Sequence, residues 1–120
     1  MKAAIEVLDR FMAALNTGDE EALLATLHFP HYRLGGRGMR VWDRTGAYLG
    51  DFLARAGADW HRSEWDFRRV IAAGPAKVHL DVQFTRYRAD RSAIGSFRSL
   101  WIVTKSGDRW GVAARSSFAD

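Results

Sequence analysis

The chain has 120 residues, 48% of them hydrophobic and 12% aromatic, which fills one core at single-domain length and excludes a disordered chain. It has no cysteine, which removes disulfides, thiolate metal sites and cysteine nucleophiles and fits a cytoplasmic protein better than a small secreted one. The formal net charge of +4 comes from arginine, with Arg33, Arg37, Arg40 and Arg44 close together and Arg86, Arg88 and Arg91 forming a second group; no nucleic-acid motif accompanies them and no apolar run approaches membrane-spanning length, so neither nucleic acid nor membrane is an expected partner.

The chain opens MKAAIEVLDR, where Glu6, Asp9 and Arg10 break up the apolar residues in a way that a signal peptide does not. Ile5, Leu8, Met12 and Leu15 fall on one stripe of a first helix, with Ala4 and Phe11 beside it. Asn16-Thr17-Gly18-Asp19 ends that helix and begins another: Gly18 supplies a permissive backbone, Thr17 or Asp19 can cap free amides, and Thr17 with Glu20 fits a capping box. A short second helix through Leu23, Leu24 and Leu27 is expected to end at Pro30. Tyr32 to Leu34 and Met39 to Trp42 read as two halves of a strand around a glycine-rich turn. Gly35, Gly36 and Gly38 lack the Gly-Lys-Ser/Thr ending of a phosphate loop. A third helix is expected from about Thr45 to Ala56, its apolar face given by Tyr48, Leu49, Phe52 and Leu53, with Gly57 as its stop.

From Trp60 the period changes to two. Four strands are expected at 62–73, 76–88, 95–105 and 109–119, joined by short hairpin turns at Gly74-Pro75, Asp90-Arg91 and Ser106-Gly107 and therefore sequential and antiparallel. With that register one face collects Trp65, Phe67, Arg69, Ile71, Val78, Leu80, Val82, Phe84, Arg86, Phe97, Ser99, Trp101, Val103, Trp110, Val112, Ala114, Ser116 and Phe118, and this face should meet the helices. The other holds Glu64, Asp66, Arg68, His79, Asp81, Gln83, Thr85, Tyr87, Arg98, Arg109 and Arg115, with Leu100 and Ile102 in its middle. There Arg68 would face Asp81 as a cross-strand pair. A slip of one residue reverses this assignment for any strand.

The order helix, helix, broken strand, helix, four long strands resembles the nuclear transport factor 2-like (NTF2-like) superfamily, and its SnoaL-like group in particular. AIEVLDRFMAALNTGDEEALLATL is similar to that group's first two helices and SLWIVTKSGDRWGVAARSSFA to its last hairpin, while HFPHYR, WHRSEWD and FTRYRADRSAIGSFRSLW resemble a bacterial branch of unknown function. The resemblance spans nearly the whole chain. It implies an α+β, cystatin-like cone in which three N-terminal helices pack on a curved antiparallel sheet, with a hydrophobic pocket at the open end and a homodimer formed through the outer sheet face, here Tyr87, Leu100 and Ile102. It does not fix a function, because the fold hosts isomerases, dehydratases, hydrolases, cyclases and non-catalytic assembly domains. Isomerases and cyclases of this fold place an acidic base in the pocket. No carboxylate lies among the inward positions here, so none is assigned.

His28 and His31 flank the point where the resemblance places the pocket mouth, and histidine is the side chain best suited to acid–base work near neutral pH. The same residues also serve to cap helix ends or bridge turns. A lone H-x-x-H, with His61 elsewhere, is short of a metal-ligand set, so no metal and no cofactor are expected. Arg33, Arg69 and Arg86 lie at or near the inward side, where few carboxylates are available; they either snorkel to the rim or meet an anionic ligand group. Trp60, Trp65 and Trp101 fill the core or form an aromatic wall for a flat ligand, and Phe84, Phe97 and Ser99 share that face. The expected function is binding of a small hydrophobic or aromatic molecule, with histidine-driven isomerisation, dehydration or hydrolysis as the chemistry it would support. The alternative is a non-catalytic dimerisation or assembly module. A cavity between the helices and Trp65, Phe84 and Trp101 separates the two.

Overall fold

The computed structural model describes residues 2–43 and 47–119. Its elements are α1 (Lys2–Thr17), α2 (Glu20–Leu24), β1 (Leu27–Gly35), β2 (Gly38–Trp42), α3 (Tyr48–Ala56), β3 (Arg62–Ala73), β4 (Lys77–Tyr87), β5 (Ala93–Ser106) and β6 (Arg109–Ser117). The six strands form one sheet in the order β2-β1-β6-β5-β4-β3. β3 to β6 are sequential antiparallel hairpins, as the period-two pattern requires, while β1 runs parallel to β6 and returns as β2. The three helices pack on the curved sheet, and the core lies between. Val7, Leu8, Phe11 and Leu15 from α1 meet Val78, Leu80, Val82, Trp101, Val103 and Val112 there.

Local chemistry explains the helix ends. α1 stops at Gly18, whose φ of 69° is left-handed, and the amide of Asp19 reaches back to the Ala14 carbonyl. Asp19 caps α2 by accepting from the Ala22 amide at 3.1 Å. The expected capping box does not form, because Thr17 Oγ1 donates back to the Ala13 carbonyl instead. α2 ends at Leu24, well before Pro30, which sits inside β1. Between Leu27↔Val112 and Tyr32↔Ala114 the β1 register shifts, and Pro30 lies in that irregular stretch, where no ladder amide is needed. The glycine turn is a tight hairpin between two paired strands, Gly35 facing Gly38, rather than one broken strand. α3 is described from Tyr48; the expected start at Thr45, and Arg44 of the first arginine group, fall outside the described residues.

Two bulges overturn part of the expected facing. In β3, Trp65 pairs with Phe84 but Phe67 pairs with Gln83, so Asp66 is an extra residue and the pleat reverses after it. Phe67 and Arg69 therefore turn outward, where the guanidiniums of Arg69 and Arg98 lie 4.2 and 5.2 Å from the Phe67 ring centroid. Arg68 turns inward and pairs with Asp9 of α1, so Asp81 pairs with Arg98 instead, through two bonds of 2.8 and 2.6 Å. A second irregularity between Val70 and Ala72 leaves Ile71 58% exposed. In β6, Ile102 pairs with Ala114 but Val103 with Val112, so Ala113 is the extra residue. Ala114 and Ser116 then oppose the outward Ile102 and Leu100, Phe118 is 89% exposed past the strand end, and Arg115 opposes Trp101 on the inner face.

Candidate functional site

Aromatic rings run in contact through the cone, edge-to-face except for the tilted Phe97–Phe84 pair. Phe97 meets Phe84 (5.7 Å), Phe84 meets Trp65 (6.1 Å), Trp65 meets Trp101 (5.3 Å) and Trp101 meets Phe11 (4.9 Å). At the other end Tyr48 of α3 touches His31 (5.3 Å) and Trp42 (5.1 Å). Trp65, Phe84 and Trp101, with Phe52, Ser63 and Arg115, enclose a cavity of about 10 Å³. That is room for about one water. A larger open hollow of about 700 Å³ lies between the β1–β2 hairpin and α3, lined by Arg33, Arg37, Arg40, Trp42, Asp51 and Arg55 among others.

Cations line both spaces, Arg115 the inner cavity and Arg33 and Arg55 the outer hollow. Arg33 (β1), Arg86 (β4) and Arg115 (β6) are all buried, at 6%, 6% and 8% exposure, and half-buried Arg55 joins them from α3. They rest on ring faces: Arg86 on Phe97 (4.4 Å) and Phe52 (5.5 Å), Arg55 on Phe52 (5.8 Å) and Trp42 (6.0 Å), Arg115 on Trp101 (5.1 Å) and Tyr48 (5.5 Å). Burial, then the charges of Arg115 and Arg33, lower the pKa of Arg86 to about 10. Burial and the same two neighbours lower Arg55 to about 9. Both remain cationic at neutral pH. Arg33 Nη2 donates to the Ala119 carbonyl at 3.0 Å. The carboxylate at the mouth, Asp51, accepts from Arg40 (2.6 Å) and Trp42 Nε1 (2.8 Å).

His31 is fully buried, and its Nδ1 lies 3.0 Å from the Val112 carbonyl. Since a carbonyl only accepts, Nδ1 carries the proton and Nε2 presents a lone pair. Desolvation, followed by the charge of Arg115, pulls the His31 pKa down to about 3, so the ring is neutral. Among the described residues, Nε2 of His31, Oη of Tyr48, Nε of Arg55, Arg86 and Arg115, and Nη2 of Arg115 are buried with no hydrogen-bond partner. Folded proteins leave few such groups, because each costs its lost hydration.

A family model described as an NTF2-like protein (DUF6841) matches residues 2–118. The chain belongs to this NTF2-like family. Solved structures agree on the fold. A protein of unknown function with a cystatin-like fold from Nostoc punctiforme superposes with a TM-score of 0.79 at 18% identity, covering 98% of this chain and 89% of its own. An NTF2-like protein with a cystatin-like fold from Novosphingobium aromaticivorans gives 0.77 at 13% identity, covering 98% and 80%. A ketosteroid isomerase-like protein from Erwinia carotovora atroseptica gives 0.70 at 15% identity, covering 98% and 93%. No curated protein matches.

Within this NTF2-like cone the two candidate histidines part company. His28 Nε2 lies 3.0 Å from the Thr104 carbonyl and Nδ1 lies 2.9 Å from Arg109 Nη2, so both ring nitrogens serve the β1–β5–β6 junction. His31 faces the cone. Trp65, Phe84 and Trp101 line the inner cavity. Ser99 is buried, but its hydroxyl accepts from Trp101 Nε1 at 2.9 Å. Trp60 packs on Phe52 at 5.2 Å and donates to Ser63. Phe97 lies beneath Arg86, and neither Arg33 nor Arg86 snorkels to the rim. Sequence reasoning missed Trp42, Tyr48, Arg55 and Arg115 as site residues. Arg55 was detectable, since Tyr48, Phe52 and Arg55 share one helical face. Arg115 was not, because its inward turn depends on the Ala113 bulge.

Among the described residues no helix is long and apolar enough to cross a membrane, and no group of three His, Asp or Glu is arranged to hold a metal ion.

Proposed function

We propose that this domain binds a small organic molecule in the cone, entering through the hollow between the β1–β2 hairpin and α3. The observation that carries the reading is the set of buried, unpartnered polar atoms on His31, Tyr48, Arg55, Arg86 and Arg115, beside a chain of aromatic rings. Hydrophobic walls with a few convergent polar groups are what a ligand site needs. The inner cavity is water-sized, so the body of the ligand would occupy the outer hollow, with Trp42 as its aromatic wall. If the domain is an enzyme, His31 is the acid–base candidate, serving an isomerisation, dehydration or hydrolysis, and the ketosteroid isomerase-like neighbour is compatible with that class. Among the described residues no carboxylate lines the inner cavity, so a proton-abstracting aspartate is not part of the proposal.

Native mass spectrometry of freshly purified protein, together with tryptophan indole NMR during a fragment titration, tests the reading. A retained small molecule, or fragments that move the Trp42 and Trp101 indole signals together, supports it. An unliganded protein whose indole signals ignore every fragment class refutes it.

A second reading concerns the outer face. Ile71 and Phe118 are strongly exposed beside Leu100 around a shallow depression that also contains Asp81 and Arg98. We propose a homodimer through this face, with Tyr87, Leu100 and Ile102 in the contact and the bulge-exposed Ile71 and Phe118 added to it. If the cone is only core, the domain is a dimerisation or assembly module.

A further inference from the structure

The interior of the cone is cationic, and among the described residues no carboxylate pairs with Arg55, Arg86 or Arg115. Arg55, Arg86 and Arg115 come from α3, β4 and β6, three elements far apart in the chain that converge on Phe52, Tyr48 and Trp101. Among the described residues none of the three makes a hydrogen bond or ion pair; each makes only ring-face contacts. Asp51, at the hollow, is already engaged by Arg40 and Trp42. A buried guanidinium that lacks a carboxylate or ordered acceptors is costly, and three within reach of one another also repel.

The polarity of the remaining groups narrows the missing partner further. Guanidinium N–H groups only donate, and the Tyr48 hydroxyl can donate. Among the described residues, neutral His31 offers an uncommitted acceptor at Nε2, beside the Tyr48 hydroxyl, which can also accept. One carboxylate would leave two of the three cations unmatched. Planar guanidiniums favour forked contacts to oxyanions, and Trp42 lines the outer hollow, where an apolar body would lie.

Resting on the ligand-binding reading above, we propose that the cone selects a small, doubly charged organic oxyanion, a dicarboxylate or a phosphate monoester, with its charged groups on Arg55, Arg86 and Arg115 and a flat apolar part against Trp42. Tyr48 donates to the same oxygens, and His31 Nε2 accepts from a hydroxyl or amide of the ligand.

Calorimetric titration at low salt tests this with phthalate, phenyl phosphate, inorganic phosphate, benzoate and benzamide. The dianions are expected to bind at least tenfold tighter than benzoate and to weaken as sodium chloride is added, while benzamide shows no measurable binding. Phthalate against phenyl phosphate decides which oxyanion the site prefers, and inorganic phosphate shows whether the apolar part contributes. R115M and R86M should each lose at least tenfold in dianion affinity, and R62Q, at an exposed surface pair, should lose none. Should a methionine variant fail to fold, R115K and R86K supply the same comparison with the charge kept and the fork removed. Benzamide binding as tightly as phthalate, or full dianion affinity in the methionine or lysine variants, overturns the anion proposal and leaves the ligand site standing. Failure of every probe, charged and neutral, overturns both.

Discussion

Replacing Arg115 by Met should make the ligand-free protein more stable. Arg115 is 8% exposed, and two of its guanidinium nitrogens, Nε and Nη2, are buried with no partner among the described residues. Removing a buried, unmatched charge recovers several kcal/mol of desolvation by order of magnitude. Against this stand two ring contacts, to Trp101 at 5.1 Å and Tyr48 at 5.5 Å, each worth roughly 0.5–2 kcal/mol. Methionine keeps most of the apolar stem and so leaves no large void. The balance is a gain on the order of 2 kcal/mol. With an unfolding entropy of roughly 2.1 cal/mol/K per residue, a chain of 120 residues gains about 4 °C in Tm per kcal/mol, so the variant should melt about 8 °C higher. Thermal denaturation followed by circular dichroism, in a dilute buffer free of phosphate and carboxylates, measures this. Added dianion should narrow the gap, since at a hundred times the wild-type Kd it stabilises the wild type by about 2.7 kcal/mol and a variant that binds tenfold weaker by only about 1.4 kcal/mol. A cooperative R115M transition at a lower Tm than wild type would refute the reasoning, because it would mean that the guanidinium already has its partners inside the fold.

Other consequences can be checked in the same preparations. His31 is neutral in the fold with a pKa of about 3 and ordinary when unfolded, so between those values the unfolded chain binds the extra proton and stability rises with pH. Its contribution is complete above about pH 6.5 and is lost as pH falls toward 3. Denaturant titrations should show wild type losing about 2–3 kcal/mol more than H31N between pH 7 and pH 4.5; equal losses would mean that the ring protonates in place. D19A removes the α2 cap to the Ala22 amide and should cost about 1 kcal/mol by urea denaturation, with no change in anion affinity. Sedimentation at micromolar concentration should give a dimer for wild type and a monomer for L100D; a wild-type monomer would remove the outer-face contact.

The element order was legible because each signal is local. Apolar residues at helical spacing mark α1 and α3, alternation marks β3 to β6, and Gly18 with Asp19 marks the α1–α2 junction. Facing was legible only up to the first bulge in each strand. Val78, Leu80, Val82, Phe84 and Arg86 lie on the straight stretch of β4 and all point inward as the alternation requires. Phe67, Arg69 and Ile71, beyond Asp66, do not. Nothing in Ala113-Ala114 marks a bulge, since alanine suits either face, and so Arg115 was misplaced by one pleat. The β1 half of the site was partly readable: His31 and Arg33 are buried while Tyr32 and Leu34 are exposed, an alternation that the Pro30 disturbance obscured.

That single misplaced residue changes what the cone can be. With Arg115 outside, the interior would hold Arg55 and Arg86 beside an aromatic floor, close to an ordinary apolar pocket with cations at its edge. With Arg115 inside, a third guanidinium stands against Tyr48 and Trp101, its charge helps keep His31 neutral, and its nitrogens have no partner. A hydrophobic residue at that position would pack against the same rings at lower cost, because it brings no charge to desolvate. The bulge at Ala113 therefore exchanges packing for charge at the innermost point of the site. Such an exchange favours the fold only when an anion arrives to complete it. On this reasoning the apo protein carries a strain that its ligand relieves; deleting Ala113, the extra residue, would straighten β6 and leave Arg115 opposite Trp101, so dianion binding should persist in that variant wherever the sheet re-forms. Lost binding in a folded deletion variant would show that the site depends on the bulge geometry and not only on an inward guanidinium at this position.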